Sequence, residues 1–118
     1  MDNDLLKTKD VVAGLGEIGK PLQKLISKNT ITVGYDINGK LVDKKQIMKY
    51  KELETRFLHV CIPFNKKFIK NVIELNVKFN PGSIVIHSTL EPHTTTKLQK
   101  KLLIPVIYSA TRGVHKRM

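Results

Sequence analysis

The sequence predicts an α/β fold, a doubly wound parallel sheet of about five strands in a single domain. Three observations carry this expectation. Short runs rich in Val and Ile alternate with longer stretches whose apolar residues fall at helical spacing, the pattern of successive βαβ units. The strand-like runs show little alternation of apolar and polar residues, as suits strands covered on both faces. The 118 residues also match one domain. A chain of that size buries roughly two-thirds of the surface its unfolded form exposes, so its core needs no metal or disulfide.

Each element follows from its own residues. Asp10–Gly14 (DVVAG) is a β-branched run closed by glycine, the first strand. Gly16–Asn29 places Ile18, Leu22, Leu25 and Ile26 at helical spacing, with Pro21 near the start, where a missing N–H costs little. Thr30–Asp36 is the second strand, and Asn38-Gly39 marks a turn. Residues 46–53 (QIMKYKEL) form a short helix. Phe57–Phe64 (FLHVCIPF) is the third strand, closed by Pro63. Asn65–Phe79 carries Phe68, Ile69, Val72, Ile73 and Leu75 on one stripe, a helix with a buried face. Asn80-Pro81-Gly82 is a turn before the fourth strand, Ser83–Thr89. Glu91–Leu102 is a helix with Pro92 at its start, and Ile104–Ser109 is the fifth strand. Right-handed crossovers put strand order 3-2-1-4-5 first among the arrangements.

Composition narrows the setting. There is one cysteine, Cys61, so no intrachain disulfide forms. No apolar run approaches the roughly 20 residues of a membrane span, and the polar N-terminus has no signal-peptide core. A cytoplasmic protein with no membrane partner is expected. Twenty-one Lys and Arg against ten Asp and Glu give a net charge of +11. Such a charge favours anionic partners or serves as a solvated lysine surface. The lysines are dispersed, without interleaved aromatics, which argues against a nucleic-acid site. His59, His87 and Cys61 make no metal-ligand spacing, and no metal site is expected. His59 and His87 fall within central strands and read as packed residues. Cys61, inside the third strand, reads as inert packing.

The stretch with the most chemical content is Gly14-Leu-Gly16-Glu17-Ile18-Gly19, between the first strand and the first helix. In that context the first glycine permits a tight turn, the second lets backbone approach a pyrophosphate, and the third lets helix pack on strand. The helix N-terminus adds free N–H groups and partial positive charge. Asp36 ends the second strand, where a carboxylate accepts hydrogen bonds from adenosine ribose hydroxyls and repels a 2′-phosphate. These features point to NAD rather than NADP. The structural alternative is that the glycines only shape a turn and Asp36 caps a loop.

The stretches VVAGLGEIGKPL, VGYDI, FLHVCIPF and PGSIVIHSTLEPHTTTKL together resemble the NAD-binding domain of the UDP-glucose/UDP-N-acetylmannosamine dehydrogenases, relatives of the 6-phosphogluconate dehydrogenases. The resemblance runs from about Asp10 to Arg112. It implies a pyrophosphate loop of Gly14, Gly16, Glu17, Ile18 and Gly19, with Asp36 on the adenosine ribose. It further implies Ile62 and Pro63 along the cofactor, and Ser88 and Thr89 toward the nicotinamide ribose. Thr89 also suits a helix N-cap.

The departures from that family are specific. Its members carry their cysteine nucleophile and most sugar-nucleotide contacts on a second domain, which these residues do not include. Ala110 and Thr111 stand where the family has Pro and Glu, so its acidic catalytic residue is missing, while Arg112 remains. His93 replaces a glycine. The run Arg112, His115, Lys116 and Arg117 is read as a basic tail. No catalytic set can be assembled. Three readings follow: an NAD-binding module whose sugar-nucleotide chemistry lies on a missing segment or separate catalytic chain; a stand-alone NAD-binding or NAD-sensing protein; and a basic nucleic-acid module on a Rossmann-like shell, which the intact glycine pattern disfavours. An open cleft on a lone domain makes self-association, as a homo-oligomer, one expected outcome.

Overall fold

The computed structural model describes residues 8–109, and within them five strands alternate with four α-helices. The order is β1 (Thr8–Ala13), α1 (Gly19–Ile26), β2 (Thr32–Tyr35), α2 (Lys44–Lys49), β3 (Glu54–Val60), α3 (Phe68–Phe79), β4 (Ser83–Ile86), α4 (Thr94–Lys101) and β5 (Val106–Tyr108). All strand pairs are parallel, as a Rossmann-like α/β sheet requires. The expectations placed on Ala110, Thr111, Arg112, His115, Lys116 and Arg117 lie outside the described residues. No helix among the described residues is long and apolar enough to cross a membrane.

The strand order is β2-β1-β3-β4-β5, which corrects the expected 3-2-1-4-5. The expected order puts the third strand at an edge, beyond β2. Yet Leu58 and Val60 of β3 are fully buried, and such a strand needs neighbours on both sides. β3 therefore lies between β1 and β4. The edge goes to β2, four residues long, whose Gly34 N–H is met by Gln46 Oε1 of α2 at 3.4 Å.

The core lies on one face of the sheet. Val11 is in register with Leu58 and Leu58 with Ile84, while Ala13 pairs with Val60 and Val60 with Ile86. All six pack against Phe68, Val72 and Leu75 of α3 and Leu98 of α4. Each fully buried aliphatic or phenyl side chain contributes roughly 1.5–3 kcal/mol, so this layer fixes the register. α1 packs on β1 and β2 from the other face. That side follows from handedness, since the chain moves one way from β1 to β2 and the opposite way in every later crossover. Leu25, one of the four apolar residues at helical spacing in Gly16–Asn29, is 61% exposed.

Element ends differ from the sequence reading for local reasons. β3 starts at Glu54, because Glu54 and Thr55 pair with Thr8 and Lys9 of β1, with a register shift between Lys9 and Asp10. Buried Lys9 donates to the carbonyls of Tyr50 (3.1 Å) and Leu53 (2.7 Å), fastening the link after α2 to β1. Burial lowers the Lys9 pKa, and Glu52 opposes that shift. α2 begins at Lys44, because Asp43 caps it by accepting from the amides of Lys45 and Gln46, each at 3.1 Å. α3 begins at Phe68, because Asn65 instead makes a turn that accepts from Lys67 N–H at 2.8 Å.

Among the described residues two non-glycines have positive φ, Asn80 (46°) after α3 and His93 (69°) before α4. Asn tolerates this left-handed conformation and commonly closes helices with it. His93 adopts it at more cost than a glycine would, and as the N-cap it precedes α4, which starts at Thr94. Replacing His93 with Gly is expected to stabilise the protein by about 1 kcal/mol. Urea denaturation of H93G beside the wild type checks this, and an unchanged or lower midpoint counts against strain at that position.

Candidate functional site

The C-terminal ends of β1, β2, β3 and β4 open onto one groove of about 1200 Å³. This exceeds the roughly 300–1,000 Å³ of ordinary small-ligand pockets. The groove lies where the crossovers from β1 and β3 diverge, the position where doubly wound sheets bind ligands. Of the sequence-derived site residues, Gly14, Gly16, Glu17, Ile18, Asp36, Ile62, Pro63, Ser88 and Thr89 line it. Gly19 lies behind the wall.

The three glycines differ in what surrounds them. Gly14 has φ +99°, and a Cβ there would stand 2.8 Å from the Cys61 carbonyl carbon. A Cβ on Gly19 would fall 1.5 Å from the Gly14 carbonyl oxygen. These two are dictated by the closure of the turn on β3. Gly16 has nothing within 4 Å of a Cβ. Its bareness faces the groove rather than protein. No side chain caps α1, and the amides of Glu17 and Ile18 have no protein acceptor among the described residues.

Asp36 has two structural bonds. Oδ2 accepts from Leu15 N–H at 2.7 Å and Oδ1 from Asn38 N–H at 2.8 Å. The carboxylate thus ties the glycine loop to the end of β2 and shapes the following turn. A carboxylate offers about four lone-pair sites, so acceptor capacity remains toward the groove. Beside it Ile37 is 96% exposed, and Leu41 and Tyr35 continue an apolar rim. The charged groups lining the groove are Glu17, Asp36, Glu74 and Glu91 against Lys78. In a chain of net charge +11, this concavity is acidic.

At the far end Ser88 is buried and donates its hydroxyl proton to the Ile62 carbonyl. It is left as an acceptor. Thr89 is exposed on the rim but does not cap α4, whose N-cap is His93; Thr94 Oγ1 instead bonds Glu91 O at 2.8 Å. Cys61 stands one residue past β3 on the groove floor, not inside the strand as expected. Burial pushes its thiol pKa up to about 12, so it stays protonated and unreactive.

The sequence reading treated His59 and His87 as separate packed residues and gave Asp10 no role. The structure joins them. His59 Nε2 lies 3.0 Å from Asp10 Oδ2, and His59 Nδ1 lies 3.0 Å from His87 Nε2. Arg56 Nε bonds Asp10 Oδ1 at 3.3 Å. Burial would raise the Asp10 pKa, but hydrogen bonds and charge from His59 and Arg56 bring it below the ordinary carboxylate value. Burial, reinforced by His59, lowers the His87 pKa to about 4, against an opposing effect of the Ser109 backbone. The available signal was a polar residue beside the apolar stretch of each of three strands, with His87 one residue past β4 rather than within it as expected; only the fold shows that they meet. No group of three or more His, Cys, Asp or Glu among the described residues is arranged to hold a metal ion.

Two predictions follow from this geometry. G19A is expected to lose more than about 3 kcal/mol, since backbone must move, whereas G16A stays within about 0.5 kcal/mol; urea midpoints of the pair decide. Because His87 binds its proton less tightly folded than unfolded, stability is complete above about pH 6.5 and falls as pH drops toward 4. The lowered Asp10 pKa acts in the same direction, with its loss at still lower pH. Between pH 7.5 and 5 the wild type is expected to lose roughly 2 kcal/mol, and H87Q much less. Parallel pH slopes for the two proteins would remove His87 from the account.

Comparison of the chain with protein-family models, with curated proteins and with solved structures finds no match.

Proposed function

We propose that this chain is an NAD-binding domain of an oxidoreductase resembling the sugar-nucleotide dehydrogenases, with the catalytic groups supplied by a further segment or a separate chain. The observation that carries the reading is Gly16. Packing accounts for Gly14 and Gly19, but no protein atom accounts for a missing side chain at Gly16. A pyrophosphate drawn against the amides of Glu17 and Ile18 does account for it. The adenosine ribose then falls at Asp36, the base against Ile37 and Leu41, and the nicotinamide half toward Ile62, Pro63, Ser88 and Thr89. The acidic lining disfavours the extra phosphate of NADP.

A stand-alone NAD-binding or sensing role is the second reading. It is favoured by what the described residues offer at the groove: Cys61 is held as an unreactive thiol, and the Ser88 proton is committed to Ile62. Binding of a sugar nucleotide belongs to the first reading only. Nucleic acid is disfavoured, because the large groove at the strand ends carries carboxylates.

Calorimetric titration with NAD⁺ and NADP⁺ tests both readings. NAD⁺ is expected to saturate and NADP⁺ to bind at least tenfold more weakly, about 1.4 kcal/mol. G16V is expected to abolish binding while its urea midpoint stays within about 0.5 kcal/mol of wild type. Failure of NAD⁺ to bind at millimolar concentration, or undiminished binding by G16V, would sink the proposal.

A further inference from the structure

Three strands that end at the groove are joined just below it by the row of Asp10, His59 and His87. Asp10 precedes Gly14 by four residues, His59 precedes Ile62 by three, and His87 directly precedes Ser88. The two imidazoles stack with centroids 5.2 Å apart and planes 28° apart. The polar and charged groups facing His87 are His59 from β3, with Asp10 of β1 behind it and Arg56 at the far end, and the Ser109 backbone after β5.

Hydrogen counting limits what this row can hold. The contacts from Asp10 to His59 and from His59 to His87 need two hydrogens between them. Two neutral rings supply these, each donating through Nε2. One imidazolium on His59 also supplies them, donating to both sides. A second imidazolium breaks the pattern, because both rings would point an N–H into one 3.0 Å gap and two buried like charges would face each other. The row therefore accepts one ring charge and rejects two.

The groove wall depends on the same strand ends. His87 N–H donates to the Val60 carbonyl at 2.8 Å, and the Ser88 hydroxyl donates to the Ile62 carbonyl. Cys61 N–H donates to the Ala13 carbonyl at 2.7 Å. A ring forced away from His59 pulls on the residue next to Ser88. We propose that Asp10, His59 and His87 are positioning residues for the groove, and that placing a proton on both histidines releases the wall at Ser88 and Thr89, making dinucleotide binding proton-linked. The binding half of this inference rests on the NAD reading above; the groove half does not.

The experiment has two independent readouts. In ¹⁵N-labelled, ligand-free wild type, the imidazole nitrogens and the amides of Ile62, Ser88 and Thr89 are followed from pH 7.5 downward. The amides are expected to shift with the same midpoint as His87. NAD⁺ is then titrated into wild type and H87Q at matched pH values. Relative to H87Q, which shares any effect of Asp36, wild-type affinity is expected to fall about twofold at that midpoint and about tenfold one pH unit below it. Amides that ignore the His87 titration overturn the proposal, as does an affinity ratio independent of pH. Amides that move in a protein that never binds NAD⁺ overturn the cofactor reading and leave the positioning role supported. Should H87Q not fold, the wild-type amide titration decides alone.

Discussion

β1 and β3 lie side by side although β2 and α2 separate them in the chain. Their pairing runs from Thr8 against Glu54 to Ala13 against Val60, through a bulge near Asp10. This adjacency buries both strands in the middle of the sheet. It sends one crossover toward β2 and the next toward β4, so the loops after β1 and β3 part and leave a groove. It also brings the Cys61 backbone against Gly14, which fixes the turn that starts α1. The same neighbours bring Asp10, whose register partner is Phe57, within reach of His59 two residues further on. Loss of this pairing would remove the core register, the groove and the polar row together.

On the proposed NAD reading, Asp36 would carry a structural and a binding role in one group. Its oxygens hold Leu15 and Asn38, which is the loop-capping alternative in full. That work orients the carboxylate rather than exhausting it, because each oxygen keeps further acceptor capacity. A carboxylate anchored by two backbone amides cannot swing away from a ligand. Together with Glu17, Glu74 and Glu91 it leaves the groove acidic inside a strongly basic protein. Apart from buried Lys9 and groove-lining Lys78, the lysines thus leave the groove to carboxylates and backbone, and their charge bears on solubility and encounter with anions.

The alternation of strands and helices was legible in the sequence because each element carries its own periodicity. Strand order was not, because it depends on which strand is most deeply buried, and FLHV and VVA look equally apolar as text. Helix starts were misread where a side chain caps or replaces the first turn. Asn65 and Asp43 accept from the chain just ahead of them, and the left-handed His93 is the N-cap of α4. In the groove, the glycines and Asp36 could be read because their spacing is local. The Asp10–His59–His87 row could not, because its members are brought together by register across three strands, and each alone resembles a polar residue tolerated in a core.

A glycine pattern is commonly taken as a single signal, yet here its three members carry unequal information. Gly14 and Gly19 would be required in any chain that turned from β1 into α1 this tightly, whether or not it bound anything. Their presence reports on folding. Gly16 is under no such demand, since a larger side chain there would meet only open space. Gly39 is as open as Gly16, but only Gly16 lines the groove. The case for the proposed dinucleotide therefore rests on the one glycine of this pattern that packing does not require, with the amides of Glu17 and Ile18, unpartnered among the described residues, beside it.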